Sequence, residues 1–85
     1  MSHPTSPSQR VETAHEAASE IIERVLASEI TGVGQLGDAE IRTGLSSTLV
    51  RRAILQQMKE QPELVDQLRE LASPAAKSLL IGLRA

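Results

Sequence analysis

The sequence predicts an all-α fold, a small bundle or orthogonal array of four main helices plus one short helical turn. Apolar residues recur at spacings of three and four, which is the period of an amphipathic helix. Proline, serine and glycine stand where helices characteristically start and stop. No segment alternates strictly between apolar and polar residues, as a half-buried strand would.

The length of 85 residues allows one small domain. We assign residues 7–85 to this single helical domain. Residues 1–6 are rich in Ser, Thr and Pro, and we expect them to form a disordered tail. A domain of this size buries a modest core, so a partner or self-association often stabilises it.

The first helix is predicted to begin with Ser6 as N-cap, Pro7 at its first position and Gln9 completing a capping box. Its apolar stripe continues for about five turns. The residues of this stripe are Val11, Ala14, Ala18, Ile21 and Val25. Gly32 suits a left-handed cap, so we expect the first helix to end there.

Glycines interrupt the helical pattern after the first helix. Residues 32–37 contain three of them and are predicted to be a loop. Asp38 then caps a short helical turn over residues 39–43, which stops at Gly44.

Three further helices have recognisable starts. Ser46 or Ser47 is predicted to cap the next helix. Pro62 stands at the first position of the following one, and Ser73 with Pro74 marks the start of the last.

The composition excludes several classes of function. The chain contains no Cys, Phe, Tyr or Trp. Without cysteine it has no disulfide and no thiolate metal ligand, and without aromatic residues it cannot stack nucleobases, so we expect no RNA partner. His3 and His15 are its two imidazoles, and we expect neither a metal nor another cofactor. The formal charge of −2 gives no general attraction for nucleic acid.

The sequence also bears on the membrane and the compartment. No apolar run approaches the roughly 18 residues that a membrane span requires, so we expect no membrane partner. Residues 1–9 lack the apolar segment of a secretory signal peptide. We therefore expect a cytoplasmic protein.

Two arrangements contain parts of known catalytic sites. Glu12-x-x-His15 on a helix is a unit of di-iron bundles, which also need a second such unit. Ser46 and Ser47 lack the base and the acid that a nucleophilic serine requires nearby. The residue pattern thus indicates a protein that is not an enzyme.

Residues 36–54 resemble the helix-turn-helix of bacterial repressors, with a short helix, Gly44 in the turn and a second helix. The resemblance implies that the second helix lies in the major groove of DNA. The residues facing DNA would be Ser47, Thr48, Arg51 and Arg52. Glu40 departs from the family pattern, because a small residue normally packs at that position between the two helices. The alternative interpretation is an ordinary corner between two helices.

The segment Gly44-Leu45-Ser46-Ser47 also resembles the Gly-Leu-Asp-Ser segment of acyl and peptidyl carrier proteins. In that family a serine at the start of the second helix bears phosphopantetheine, so the resemblance implies attachment at Ser47. Ser46 stands where the family has Asp, and the preceding loop is short and lacks the family's Phe.

The function that we expect foremost is a small non-enzymatic helical interaction or regulatory module, such as an adaptor, acting on a protein partner or as a homodimer. The stripe of the first helix can pair with another helix, or it can form the core of the chain itself. Leu55 and Ile81 lie off the predicted inner faces. The residues predicted to bind the partner are Ala14, Ala18, Ile21, Val25 and Leu55.

Overall fold

Five α-helices make up the described part of the chain. The computed structural model describes the backbone of residues 7–84 and the side chains of residues 13–83. The helices are α1 (Pro7–Leu26), α2 (Val33–Arg42), α3 (Ser47–Glu60), α4 (Pro62–Leu71) and α5 (Pro74–Arg84). The described residues include no strand, so the all-α prediction is confirmed. The predicted tail over residues 1–6 and the predicted roles of the Ser6, Gln9, Val11 and Glu12 side chains lie outside what is described.

α1 ends earlier than predicted. Ser28 takes the left-handed conformation with φ 62°, and the amide of Glu29 donates to the carbonyl oxygen of Arg24 at 2.9 Å. This is the six-to-one hydrogen bond of a Schellman cap. The prediction that Gly32 caps α1 is therefore wrong. Serine makes the left-handed turn first, and Ile30 then enters the core with 2% of its surface exposed.

α2 begins at Val33, so most of the predicted loop is helical. The side-chain oxygen of Gln35 accepts hydrogen bonds from the amides of Thr31 and Gly32, each at 3.0 Å. These bonds satisfy donors that the start of a helix leaves free. The predicted cap at Asp38 is wrong because Gln35 caps the helix earlier, and the predicted short turn is a helix of 10 residues.

The starts of the later helices are closer to the prediction. Pro62 and Pro74 are the first residues of α4 and α5. The amide of Ala76 donates to the hydroxyl oxygen of Ser73 at 3.2 Å, which confirms the predicted cap of α5. Ser46 is the N-cap residue of α3 but makes no side-chain capping hydrogen bond. The predicted position of the N-cap is therefore confirmed, but the Ser46 side chain does not form the capping hydrogen bond.

The core is aliphatic and lies mainly between α1 and α3, the two helices with the most extensive contact. α5 contacts all four other helices. Ala75 and Ala76 are fully buried, which lets α5 approach its neighbours closely. The other buried residues of this cluster are Ala18, Ile21, Ile22, Val25, Ile30, Leu36, Ala39, Val50, Ile54, Met58, Leu68 and Leu79.

The stripe of α1 belongs to this core. Ala14, Ala18, Ile21 and Val25 each expose 3% of their surface or less. Other helices of the same chain cover these four residues, so in this structure they are not open to the partner that the sequence predicts for them. Leu55 is half-buried and packs against the core, so it is not a free docking residue either.

Candidate functional site

The side chains predicted to face DNA lie together on α3. Ser47, Thr48, Arg51 and Arg52 are all exposed, and their helical spacing places them on one outer side of α3. Gly44 has φ 73° and turns the chain sharply between α2 and α3. Ser47, the attachment site that the carrier-protein resemblance implies, is the first residue of α3. The structure thus brings the predicted residues together at the corner between α2 and α3.

An ion pair between a buried carboxylate and an exposed arginine joins the two helices of this corner. Glu40 exposes 2% of its surface, and Nε of Arg51 donates to both of its carboxylate oxygens, at 3.3 and 3.1 Å. A buried carboxylate is costly unless it is paired and hydrogen-bonded. Arg51 therefore allows Glu40 to occupy the position where the helix-turn-helix family has a small residue, and the exposed Arg51 side chain is tied to α2 by that ion pair.

A small cavity lies beside this ion pair, between α2, α3 and α5. Its volume is about 90 Å³. Aliphatic side chains form most of its wall, and among the described residues the charged groups lining it are those of Glu40 and Arg51. Such an arrangement, apolar walls with a few placed polar groups, is typical of small-ligand sites. The lining residues are Leu36, Glu40, Arg51, Ile54, Leu55, Ser78, Leu79 and Gly82.

Another side of α2 is an open apolar surface. Val33 and Ile41 expose 55% and 69% of their surface. Gly34 and Gly37 lie between them in sequence, and helical spacing places the four residues on one side of α2. A Cβ atom added at either glycine would meet no described atom within 4 Å. We call these four residues the α2 outer face.

Gln57 forms a polar connection between α1 and α3. It exposes 4% of its surface, its Nε2 donates to the carbonyl oxygen of His15 at 2.7 Å, and its Oε1 accepts from the hydroxyl of Ser19 at 3.0 Å. The His15 ring is exposed, with Nδ1 3.3 Å from Gln57 Nε2. Within the described residues, no group of three or more His, Asp and Glu side chains is placed to hold a metal ion.

Sequence reasoning missed the burial of Glu40 and Gln57, because polar residues on amphipathic helices usually face water. The signal was their spacing. Glu40 follows the core residue Leu36 by one turn of α2. Gln57 follows Val50 and Ile54 at the spacing of one apolar face. A polar residue in phase with an apolar stripe indicates a buried hydrogen bond or ion pair.

Compared with known proteins, the chain matches no protein-family model, no curated protein and no solved structure. In the part of the chain that the structure describes, no helix has both the length and the apolar character needed to cross a bilayer. The interpretation of the site therefore depends on its own residues.

Proposed function

We propose that this protein is a small non-enzymatic interaction or regulatory module that docks a helix of a protein partner on the α2 outer face. The observation that supports the proposal is the pairing of two exposed aliphatic side chains with two open glycines on one side of one helix. Single exposed aliphatic residues are ordinary on protein surfaces. Val33 and Ile41, two helical turns apart with Gly37 between them, provide neighbouring anchors.

The glycines support close approach by another backbone. A glycine within a helix lowers its stability by roughly 1 kcal/mol relative to alanine. Gly34 and Gly37 lie inside α2, where no left-handed conformation is required. Neither makes room for a neighbour among the described residues, since an added Cβ would meet none of their atoms within 4 Å. A partner helix that packs against them would use the space that they leave open.

Polar residues border the apolar surface on one side. Asp38 and Arg42 are exposed on α2, and helical spacing places Asp38 next to Gly34. They are an acid and a base, so the border can form ion pairs of either sign. An apolar centre with a polar rim is the usual anatomy of a protein–protein interface.

A matched pair of substitutions tests the proposal. Ile41 and Ile81 are almost equally exposed, at 69% and 68%, but Ile81 lies on α5. We expect Ile41→Glu to abolish partner binding or self-association and Ile81→Glu to preserve it. Sedimentation velocity over a concentration series measures self-association. Cross-linking followed by mass spectrometry identifies a partner seated at α2.

Thermal unfolding of both variants should match that of the wild type, because both residues are exposed. The proposal is wrong if the wild type is a strict monomer without a cross-linked partner at α2. It is equally wrong if Ile81→Glu disrupts association as strongly as Ile41→Glu does.

A second candidate function is that of a DNA-binding regulator. It is favoured by the grouping of exposed Ser47, Thr48, Arg51 and Arg52 directly after the sharp turn at Gly44. Binding to a labelled duplex should weaken with salt, and Arg52→Ala should reduce the slope of that dependence by about 0.9 if it removes one phosphate contact. Lys77→Ala, which removes an exposed positive charge on α5, is the control. Absence of salt-sensitive binding would exclude this candidate.

A further inference from the structure

The cavity between α2, α3 and α5 is distinct from the α2 outer face, since none of the four residues of that face lines it. Leu36, Ile54, Leu55 and Leu79 give it aliphatic walls. Gly82 lines one side of the cavity, and a Cβ added there would make a van der Waals contact of 3.5 Å with Cδ2 of Leu55, which also lines it. The interior thus favours an aliphatic group.

Arg51 supplies polar recognition at this cavity. Its Nε is bound to Glu40, and its side chain is 65% exposed. Among the described residues, its two Nη groups have no hydrogen-bond partner. Glu40 is buried and already accepts from Arg51 through both oxygens. The two Nη groups of Arg51 are therefore available as hydrogen-bond donors, and together they can bind a carboxylate through two parallel hydrogen bonds.

The volume of the cavity limits how many ligand atoms it can enclose. An engineered cavity of about 150 Å³ holds a benzene molecule. A cavity of about 90 Å³ is smaller by more than a third, and by that comparison it accommodates roughly four carbon atoms. A longer chain would have to extend into solvent.

We propose that this cavity binds a free short-chain aliphatic carboxylate, with its aliphatic end between Leu36, Ile54 and Leu79 and its carboxylate on the Nη groups of Arg51. The ion pair with Glu40 then orients Arg51 for the ligand. The site is independent of partner docking on the α2 outer face, so either proposal can fail without the other.

The test uses the full chain, labelled with ¹⁵N and titrated with isovalerate into the millimolar range. We expect saturable shifts of the Leu55 and Gly82 amide signals. Isovaleramide and isoamylamine, which share the carbon skeleton but lack the negative charge, should bind at least about tenfold more weakly, as expected when a charged hydrogen bond is lost. Equal or tighter binding of either compound would overturn the proposal, as would the absence of saturable shifts with isovalerate.

Two matched pairs of variants locate the site. Gly82→Ala puts a methyl group into the cavity and should weaken isovalerate binding about fourfold, the effect of one methylene group of apolar contact. Gly34→Ala is the same change where nothing lies within 4 Å, and it should leave binding unchanged. Arg51→Gln should weaken isovalerate binding about tenfold or more. Arg52→Gln also removes one positive charge, but outside the cavity, and should leave isovalerate binding unchanged.

Arg51→Gln also leaves Glu40 without its ion-pair partner. If that variant does not fold, the comparison of Gly82→Ala with Gly34→Ala and the comparison of isovalerate with isovaleramide still test the proposal. Equal effects of Gly82→Ala and Gly34→Ala would refute the assignment to this cavity.

Discussion

The side-chain amide of Gln57 donates a hydrogen bond of 2.7 Å to the backbone carbonyl oxygen of His15, although 42 positions separate the two residues. The same amide group accepts from Ser19 one helical turn later on α1. Two bonds at successive turns set how far α1 can slide along α3. An aliphatic interface alone specifies such a register less sharply, because its contacts are not directional.

Gln57→Met should lower the free energy of unfolding by about 1–3 kcal/mol, because methionine keeps much of the volume but leaves buried polar groups without their partner. Urea unfolding followed by circular dichroism measures the change. Gln56→Met is the control. The Gln56 side chain is exposed and bonds to Glu60 on its own helix, so the effect there should stay within about 0.5 kcal/mol. Equal effects at both positions would show that Gln57 makes no special contribution.

The pair of Glu40 and Arg51 should respond asymmetrically to substitution. Arg51→Met leaves a buried carboxylate unpaired and should lower the free energy of unfolding by about 1–3 kcal/mol. Glu40→Met leaves an arginine that is already largely exposed, and the loss should be below about 1 kcal/mol. Chemical denaturation of both single variants and the double variant measures the coupling. A larger loss for Glu40→Met would contradict this account.

Replacement by alanine should stabilise the protein at the two glycines within α2 and destabilise it at the glycine that follows α2. Gly34→Ala and Gly37→Ala should each raise the free energy of unfolding by about 0.5–1 kcal/mol, since alanine favours the helix and meets no neighbour. Gly44→Ala should lower it by about 1–2 kcal/mol, because φ is 73° there. Thermal unfolding of the three variants measures the order of their stabilities. Destabilisation by Gly34→Ala would mean that its open side is already occupied.

Ala72 ends α4 in the left-handed conformation, with φ 54°, where an L side chain is strained. Ala72→Gly should raise the free energy of unfolding by about 1 kcal/mol. Ala17→Gly, within α1, should lower it by a similar amount, about 1 kcal/mol. The same substitution is made in two different backbone conformations, so equal effects in denaturant titrations would rule out strain at Ala72.

The helix starts that the sequence predicts correctly depend on local chemistry. Pro62 and Pro74 suit the first position of a helix because proline lacks the amide hydrogen that a helix start leaves unused. Gly44 is compatible with a positive φ that other residues avoid. The errors arose at glycines that do not break the helix. Gly34 and Gly37 lie within α2 because Gln35 caps its start through Thr31 and Gly32.

The candidate site was predicted only in part. The exposed group on α3 follows from helical spacing and polarity, which the sequence contains. The burial of Glu40 does not follow from its residue type, since an unpaired carboxylate belongs in water. It depends on Arg51, which lies 11 positions away and reaches Glu40 only when α2 and α3 meet at their corner.

The sequence by itself determined the all-α class, the positions of the later helix starts and the aliphatic nature of the core. These properties depend on local backbone preferences and on the period of apolar residues. Only the tertiary structure decided which apolar surfaces remain open. It buried Ala14, Ala18, Ile21 and Val25 within the chain and left Val33 and Ile41 exposed on α2. The reason is that burial is a property of neighbours, and the stripe on a helix does not specify whether its neighbour belongs to the same chain.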